Sequence, residues 1–300
     1  MYIVNSKKIP EIDVFVDRIN VSEDYLKYIV ESISMPRHYI AERHNNSVVR
    51  EWIKNEFDSL GLISSCQGNY KNIISRYEDS PTDFSIIVGA HYDSVPNSPG
   101  ADDNASAIAA MLAIAKALKE YDKLPVLFIA FNREEDNLLG SREFVSSLLK
   151  EQTRKIKCAH VLEMVGYCSS EPKSQLVPPG LPIKISDVGD FIGVIANRYS
   201  NNLVKQIIYT AEKYVPSLPV TALKVFLGME KIFPHLLRSD HAPFWERKIP
   251  ALMWTDTSEF RNPNYHKSTD TPDTLDYSFL CKVVQLLGNC IIEQVNVSEG

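Results

Sequence analysis

The stretch from Ser85 to Lys119, SIIVGAHYDSVPNSPGADDNASAIAAMLAIAKALK, constrains the possible folds of this chain more than any other. Its apolar run, Ile86 to Ala90, leads straight into His91 and Asp93. A loop with Pro96, Pro99 and Gly100 follows, then Asp102 and Asp103, then an Ala-rich amphipathic pattern from Ala105 to Lys119. Strand, polar loop and helix in succession place the charged residues where the strand ends, which is where open α/β sheets bind ligands. A metal site is the leading hypothesis, and the rest of the chain must supply the missing ligands.

Strands and helices alternate around this unit. Ser22 to Ser34 opens with a Ser N-cap followed by acids and repeats apolar residues at helical spacing. Asn46 to Leu60 does the same, with Val48, Val49, Trp52, Ile53 and Phe57 on one face and Gly61 as the stop. Alternation from Ile63 to Tyr77 around Gly68-Asn69 predicts a pair of antiparallel edge strands. VLFIAF, Val126 to Phe131, is a strand buried on both faces that ends in Asn132-Arg133-Glu134-Glu135. A helix over Ser141–Lys150 and a buried strand over Ala159–Val165 come next. A Ser/Pro/Gly-rich segment, Ser169 to Ile183, reads as a loop over the sheet. Phe191 to Val215 has a helical pattern, Leu223–Leu227 and Ala251–Asp256 read as the last strands, and Asp276–Val295 as a closing amphipathic helix. The expected fold is therefore one α/β domain over residues 1–300, a three-layer α/β/α sandwich on a mixed, mostly parallel central sheet.

Composition narrows the function. A net charge of −6 without a basic block disfavours nucleic acid and anionic membrane surfaces as partners. No run approaches roughly 18 consecutive apolar residues. The start, MYIVNSKKIPEIDVF, lacks the basic and apolar regions of a signal peptide, so the chain as given is expected in the cytoplasm, a leader missing from this sequence aside. Cys66, Cys158, Cys168, Cys281 and Cys290 are odd in number and lack Cys-x-x-Cys spacing, and read as free thiols rather than disulfides or a zinc knuckle.

The polar residues at the ends of the apolar runs are His91, Asp93, Asp102, Asp103, Glu134, Glu135 and Glu163, joined late in the chain by Ser239-Asp240-His241 and His266. Carboxylates and imidazoles without thiolates suit catalytic zinc, cobalt or manganese. His91-x-Asp93 on an extended segment puts both side chains on one face, so Asp93 can accept the ring N–H of a ligating imidazole and fix its tautomer. Glu134 and Glu135 would diverge in a regular strand. If the strand breaks there, one can hold metal while the other takes a proton from metal-bound water. So many acids at one rim would raise each other's pKa without a cation, which two divalent metals roughly 3.5–4 Å apart would resolve. Asp102 is placed to bridge them.

GAHYDSVPNSPGADDNASA, FNREEDNLLGS, VLEMVGY, SDHAPFW and NPNYHKSTDTPDTLDY, in that order over Ser85 to Tyr277, resemble the motifs of the di-zinc aminopeptidase family. That family includes bacterial leucyl aminopeptidases and aminopeptidase S, with glutamate carboxypeptidase and glutaminyl cyclase as more distant relatives. The resemblance implies the zinc-exopeptidase architecture of the phosphorylase/hydrolase-like type, and two zinc ions, with cobalt or manganese as substitutes. It assigns His91, Asp102 and Glu163 to one metal, Glu135, Asp102 and His266 to the other, Glu134 as general base and Tyr265 as oxyanion donor. Asp93, Asp103, Asp240 and His241 would stand behind the ligands. Glu163 departs from the common Asp, and Ala107 from the common Gly.

The expected activity is removal of N-terminal residues from small peptides. Carboxypeptidase or cyclase chemistry, left open by Arg133, Arg238 and Arg261, and a silent receptor-like relative are the alternatives. Phe226, Phe233, Phe244 and Trp245 are candidates for a specificity pocket or for core. His38, His44, His160 and His235 are expected to carry no chemistry, and oligomeric state is not encoded legibly.

Overall fold

In a computed structural model of the chain, residues 1–7, 19–81, 83–121 and 124–296 are described. They form one nine-stranded sheet in the order β1-β8-β7-β9-β6-β4-β5-β3-β2. In chain order the strands are β1 (Tyr2–Asn5), β2 (Leu62–Gln67), β3 (Asn72–Tyr77), β4 (Ile86–His91), β5 (Val126–Phe131), β6 (Cys158–Glu163), β7 (Ile192–Ala196), β8 (Val220–Lys224) and β9 (Ala251–Thr255). The helices are α1 (Glu23–Ile33), α2 (Arg43–Ser59), α3 (Ala107–Leu118), α4 (Leu139–Ser147), α5 (Lys150–Lys155), α6 (Val204–Tyr214), α7 (His241–Glu246) and α8 (Tyr277–Asn296). The centre, β5-β4-β6-β9, is parallel, and antiparallel pairing enters at β7–β9 and towards both edges. The expected sandwich is present.

Strand alternation builds two cores. Ile86, Val88 and Ala90 of β4 and Val126, Phe128 and Ala130 of β5 join α1, α2, α3, α6 and α8 on one face. Ile87 of β4 and Leu127, Ile129 and Phe131 of β5 face Phe144 and Val145 of α4 and Phe244 and Trp245 of α7 on the other. That period of two, with both faces apolar, is why the central strands read as continuous hydrophobic runs. Ser22 caps α1 by accepting the N–H of Tyr25 at 3.3 Å. By length and composition α8 is apolar enough to cross a membrane, yet 72% of its apolar window is buried inside the protein, against α1, α3 and α6.

Several expectations need correction. Of the β2–β3 pair only β2 lies at a sheet edge, because β3 also pairs with β5. Val48 is exposed at 44%, while Asn46 is buried on that face of α2. The segment 191–215 is not one helix: the β-branched run from Ile192 to Ala196 pairs between β8 and β9, and helix begins only at Val204. Residues 141–150 divide into the end of α4 and the start of α5. The eighth strand ends at Lys224, and α3 starts at Ala107 because 101–106 form an irregular turn. β1 was not foreseen.

The two halves of the α4/α7 face differ. Helices cover it from β3 to β9, whereas over β9, β7, β8 and β1 the cover is the irregular segment around 175–185 with Leu236 and Leu237, and a cavity of about 460 Å³ remains beneath.

Candidate metal centre

His91 and Glu163 end β4 and β6 on the same face. Those strands pair Ile87 with Ala159 and Gly89 with Val161, so the next position on that face brings the imidazole and the carboxylate side by side. His91 Nε2 lies 3.6 Å from Glu163 Oε1. Its other nitrogen, Nδ1, faces Asp93, 3.2 Å from the carbonyl and 3.5 Å from Oδ1. Donation there fixes the tautomer with Nε2 as the lone-pair atom turned inward.

Beyond β5 the chain turns at Arg133, whose φ is 60°, and this break lets adjacent Glu134 and Glu135 serve one site. Asp93 pins the turn from beneath, its Oδ1 accepting the N–H of Glu134 at 3.1 Å and its Oδ2 that of Glu135 at 3.3 Å. Asn132 is tied to Tyr70 and Asn46. Helix α4 packs so tightly on it that a Cβ on Gly140 would sit 2.1 Å from the Asn132 carbonyl.

The carboxylate common to two of the donor groups is that of Asp103. Its Oδ1 is 3.3 Å from His91 Nε2 and its Oδ2 is 3.1 Å from His266 Nε2, which lies 3.5 Å from Glu135 Oε2. His91, Asp103 and Glu163 make one three-donor group and Asp103, Glu135 and His266 another, with donor atoms in each within 4.8 Å of one another. The expectation of Asp102 as the bridge is corrected. Asp102 is fully buried and turned the other way, accepting Gly166 N–H at 2.9 Å and Asn262 Nδ2 at 2.7 Å beside Asp256. The irregular turn sends consecutive side chains apart, so one faces the cluster and its neighbour anchors the loop. Asp103, expected behind the ligands, stands among the candidate donors.

The donor set fits divalent cations. His91 Nε2 and Glu135 Oε1 are buried with no hydrogen-bond partner, an arrangement that is costly without an ion. Burial pushes the Glu134 and Glu135 carboxyls well above their usual range, reinforced at Glu134 by Glu163 and Glu135 and at Glu135 by Asp103, Asp93 and Glu163. Burial works against a charged His91, but Glu163 and Glu134 win and raise its pKa. Asp103, although buried, is held below the carboxylate range by His266 and His91. Oxygen and imidazole donors without sulfur suit zinc in a catalytic rather than a structural setting.

Glu134 forms a third donor group with His91 and Glu135 but belongs to neither of the two that share Asp103; its Oε2 is 4.0 Å from His91 Nε2. Tyr265 stacks on His266 with ring centroids 3.7 Å apart, and its hydroxyl accepts from Arg238 Nη2 at 2.6 Å, leaving the phenolic proton free to donate. Asp240 is buried behind the cluster, where burial raises its pKa to about 7. His241 points away, 2.9 Å from the Leu236 carbonyl and edge-on to Trp245, and burial lowers it to about 4.

Four supports received no role from the sequence, although Ser239 was among the polar residues collected there. Ser239 Oγ donates to Glu163 Oε2 at 2.6 Å. Asp270 accepts the N–H groups of both Asp102 and Asp103, at 2.9 and 3.1 Å. Asn262 fixes Asp102, and Asn104 donates to the Leu162 carbonyl. Ser239 and Asp270 lie within the SDHAPFW and STDTPD motifs, which was the available signal. Phe244 and Trp245 are core, and the aromatic residues lining the cavity are Phe191, Phe260 and Tyr265. Of the three arginines, Arg238 lines the cavity, Arg133 pairs with Asp136 at 2.9 Å, and Arg261 is buried against Gln175. The cysteines are all free.

Comparison with known proteins agrees with this chemistry. The profile described as "Peptidase family M28" matches residues 72–291. The chain is 36% identical over 254 residues to the uncharacterized protein YfbL of Escherichia coli (strain K12), covering 78% of this chain and 76% of YfbL. It is 32% identical over 216 residues to aminopeptidase YwaD of Bacillus subtilis (strain 168), covering 70% of this chain and 41% of YwaD. Against leucine aminopeptidase 2 of Trichophyton rubrum the identity is 29%, over 76% of this chain and 46% of that protein. The chain thus spans less than half the length of these two aminopeptidases. Among solved structures, LapB of Legionella pneumophila superposes with a TM-score of 0.71 at 21% identity, covering 96% of this chain and 78% of LapB. The zinc aminopeptidase BSAP of Bacillus subtilis gives 0.57 at 28%, covering 75% and 50%.

Proposed function

This chain belongs to peptidase family M28, and from that premise we propose that it is a two-metal exopeptidase that releases N-terminal residues from small peptides. The observation that carries the reading is the sharing of Asp103 between two three-donor groups, with Glu134 beside them and outside both. His91, Asp103 and Glu163 would hold one zinc, and Asp103, Glu135 and His266 the other. The ions, when bound, supply Lewis-acid polarisation of a carbonyl and a water acidified towards neutrality.

The chain's own groups do the rest. Glu134, kept poorly solvated and so more basic than an ordinary carboxylate, accepts the proton of the attacking water and returns it to the leaving amine. Tyr265 O–H donates to the carbonyl oxygen as it gains charge, held in direction by Arg238. The acidic rim suits a cationic α-amine. Glu259 is already paired with Arg238, which leaves that guanidinium a poor receptor for a C-terminal carboxylate.

The test is hydrolysis of aminoacyl-anilides by protein supplied with zinc or cobalt, set against Glu134→Gln. Release of anilide by the native protein and its loss in the variant are expected. A protein that binds two metals yet cleaves no aminoacyl-anilide, or cleaves only N-blocked peptides from the C-terminus, would overturn the reading.

A further inference from the structure

The cavity beside the metal centre is longer than one side chain needs. Its polar end holds Asp103, Glu134, Glu163 and His266, and its floor then crosses Met253 of β9, Ile195 of β7, Leu223 of β8 and Ile3 of β1. These positions are neighbours in register, Ile195 with Met253, Ile195 with Leu223, and Leu223 with Ile3, so they form one apolar stripe running across the sheet. From Glu163 on β6 to Ile3 on β1 the stripe crosses four strand spacings, roughly 19 Å. Gly193 keeps the floor low towards the donor cluster, where a Cβ would approach the Thr255 carbonyl to 3.0 Å. Leu181 and Ile183 close the roof.

We propose that this cavity binds a linear aliphatic chain longer than any of the twenty side chains, carried on the acyl side of the scissile amide. The proposal rests on the hydrolytic reading above. In that reaction the C–N bond breaks, the hydroxyl of water joins the acyl carbon and the proton goes to the amine. A peptide is a poor occupant of the far end. The floor is a sheet face whose backbone groups already pair in β9–β7, β7–β8 and β8–β1, so an inserted peptide's N–H and C=O groups would lose water without finding main-chain partners on that floor. An alkyl chain has no such groups to satisfy. Each methylene buried there should tighten binding by up to about fourfold.

The test uses the full chain and two probe series: n-alkylamines from butyl to dodecyl in calorimetric titration, and 2-aminoalkanoyl-anilides of the same chain lengths in hydrolysis. Affinity and kcat/KM should rise with length well beyond the size of leucine. Thr221 of β8 lines the cavity beside Gly193, one strand short of Ile3; Thr221→Phe, which narrows the way to the far end, should truncate both rises and leave short substrates unchanged, with Thr221→Val as the conservative control and Ile3→Trp as a second blocking variant. A wild-type profile that is flat or falling beyond leucine overturns the proposal, as does a blocked variant with an unaltered profile. Length-dependent amine binding without hydrolysis of any anilide would instead sink the peptidase reading and leave the cavity assignment standing.

Discussion

The Oδ2 atom of Asp103 lies 3.1 Å from His266 Nε2, while the adjacent Asp102 is engaged by Gly166, Asn262, Asp256 and Ser106 on the other side of the loop. The two residues therefore predict opposite mutant behaviour. Asp103→Asn should lower bound metal from two equivalents to one or none by elemental analysis and abolish hydrolysis. Asp102→Asn should keep both metals and lose about 1–3 kcal/mol of stability from the disturbed network. The reverse pattern would return the bridge to Asp102.

Glu134 belongs to neither metal-holding group that shares Asp103. Glu134→Gln keeps the shape and removes the base, so two equivalents of metal should remain while kcat drops by about 10²–10⁴. Loss of a metal equivalent would instead make Glu134 a ligand.

Tyr265 is directed by Arg238 and stacked on His266. Tyr265→Phe preserves the stack and deletes the donor, so kcat should fall by about 10² with little change in KM. A mutant affected only in KM would mean that the hydroxyl binds substrate and transition state equally.

Acid sensitivity has a distinct source. His160 is fully buried, with Nδ1 accepting from Trp254 Nε1 at 3.1 Å and Nε2 facing Gln294 at 3.0 Å. Burial lowers its pKa from 6.5 to about 4. The unfolded chain then binds the extra proton between pH 6.5 and 4, so the stabilisation is full above that window and is lost as pH falls through it. The loss reaches roughly 3 kcal/mol at pH 4. In urea titrations at stepped pH, His160→Gln should lose less stability than the native protein between pH 6.5 and 4, by about that amount. Equal slopes would mean that His160 is already protonated in the fold.

What was legible in the sequence was whatever its local pattern determines. The runs Ile86–Ala90 and Val126–Phe131 are apolar at every position because both faces are covered, and their polar ends announced His91, Glu134 and Glu135. The Asp102-Asp103 doublet was ambiguous because either carboxylate satisfies a motif, and an irregular turn, which has no sequence period, decides which one faces the site. Ile192–Ala196 was missed as a strand because five residues do not separate a period of two from one of 3.6 when helix follows within eight residues. Asp270 and Arg37 hold the loop through contacts more than 50 residues away in the chain, which no local pattern records.

Arg37 carries the last prediction. It has no exposed surface, and its guanidinium donates to the carbonyls of Tyr92 at 2.6 Å, Gly100 at 2.8 Å, Met35 at 3.2 Å and Pro99. It thus clamps both ends of the loop between His91 and Asp102. Burial lowers its pKa to about 10, an effect opposed by Asp270, Asp103, Asp93 and Glu135, so it remains a cation facing the acid cluster. Arg37→Met fills much of the same volume but strands those carbonyls and removes a buried positive charge from beside the carboxylates. A loss of about 3–5 kcal/mol is expected in urea unfolding of the metal-free protein. Arg37→Lys should recover only part of it, because one ammonium cannot reach four carbonyls on two sides of a loop. If Arg37→Met unfolds like the native protein, the clamp contributes nothing, and Asp270 alone must hold the loop that presents Asp103.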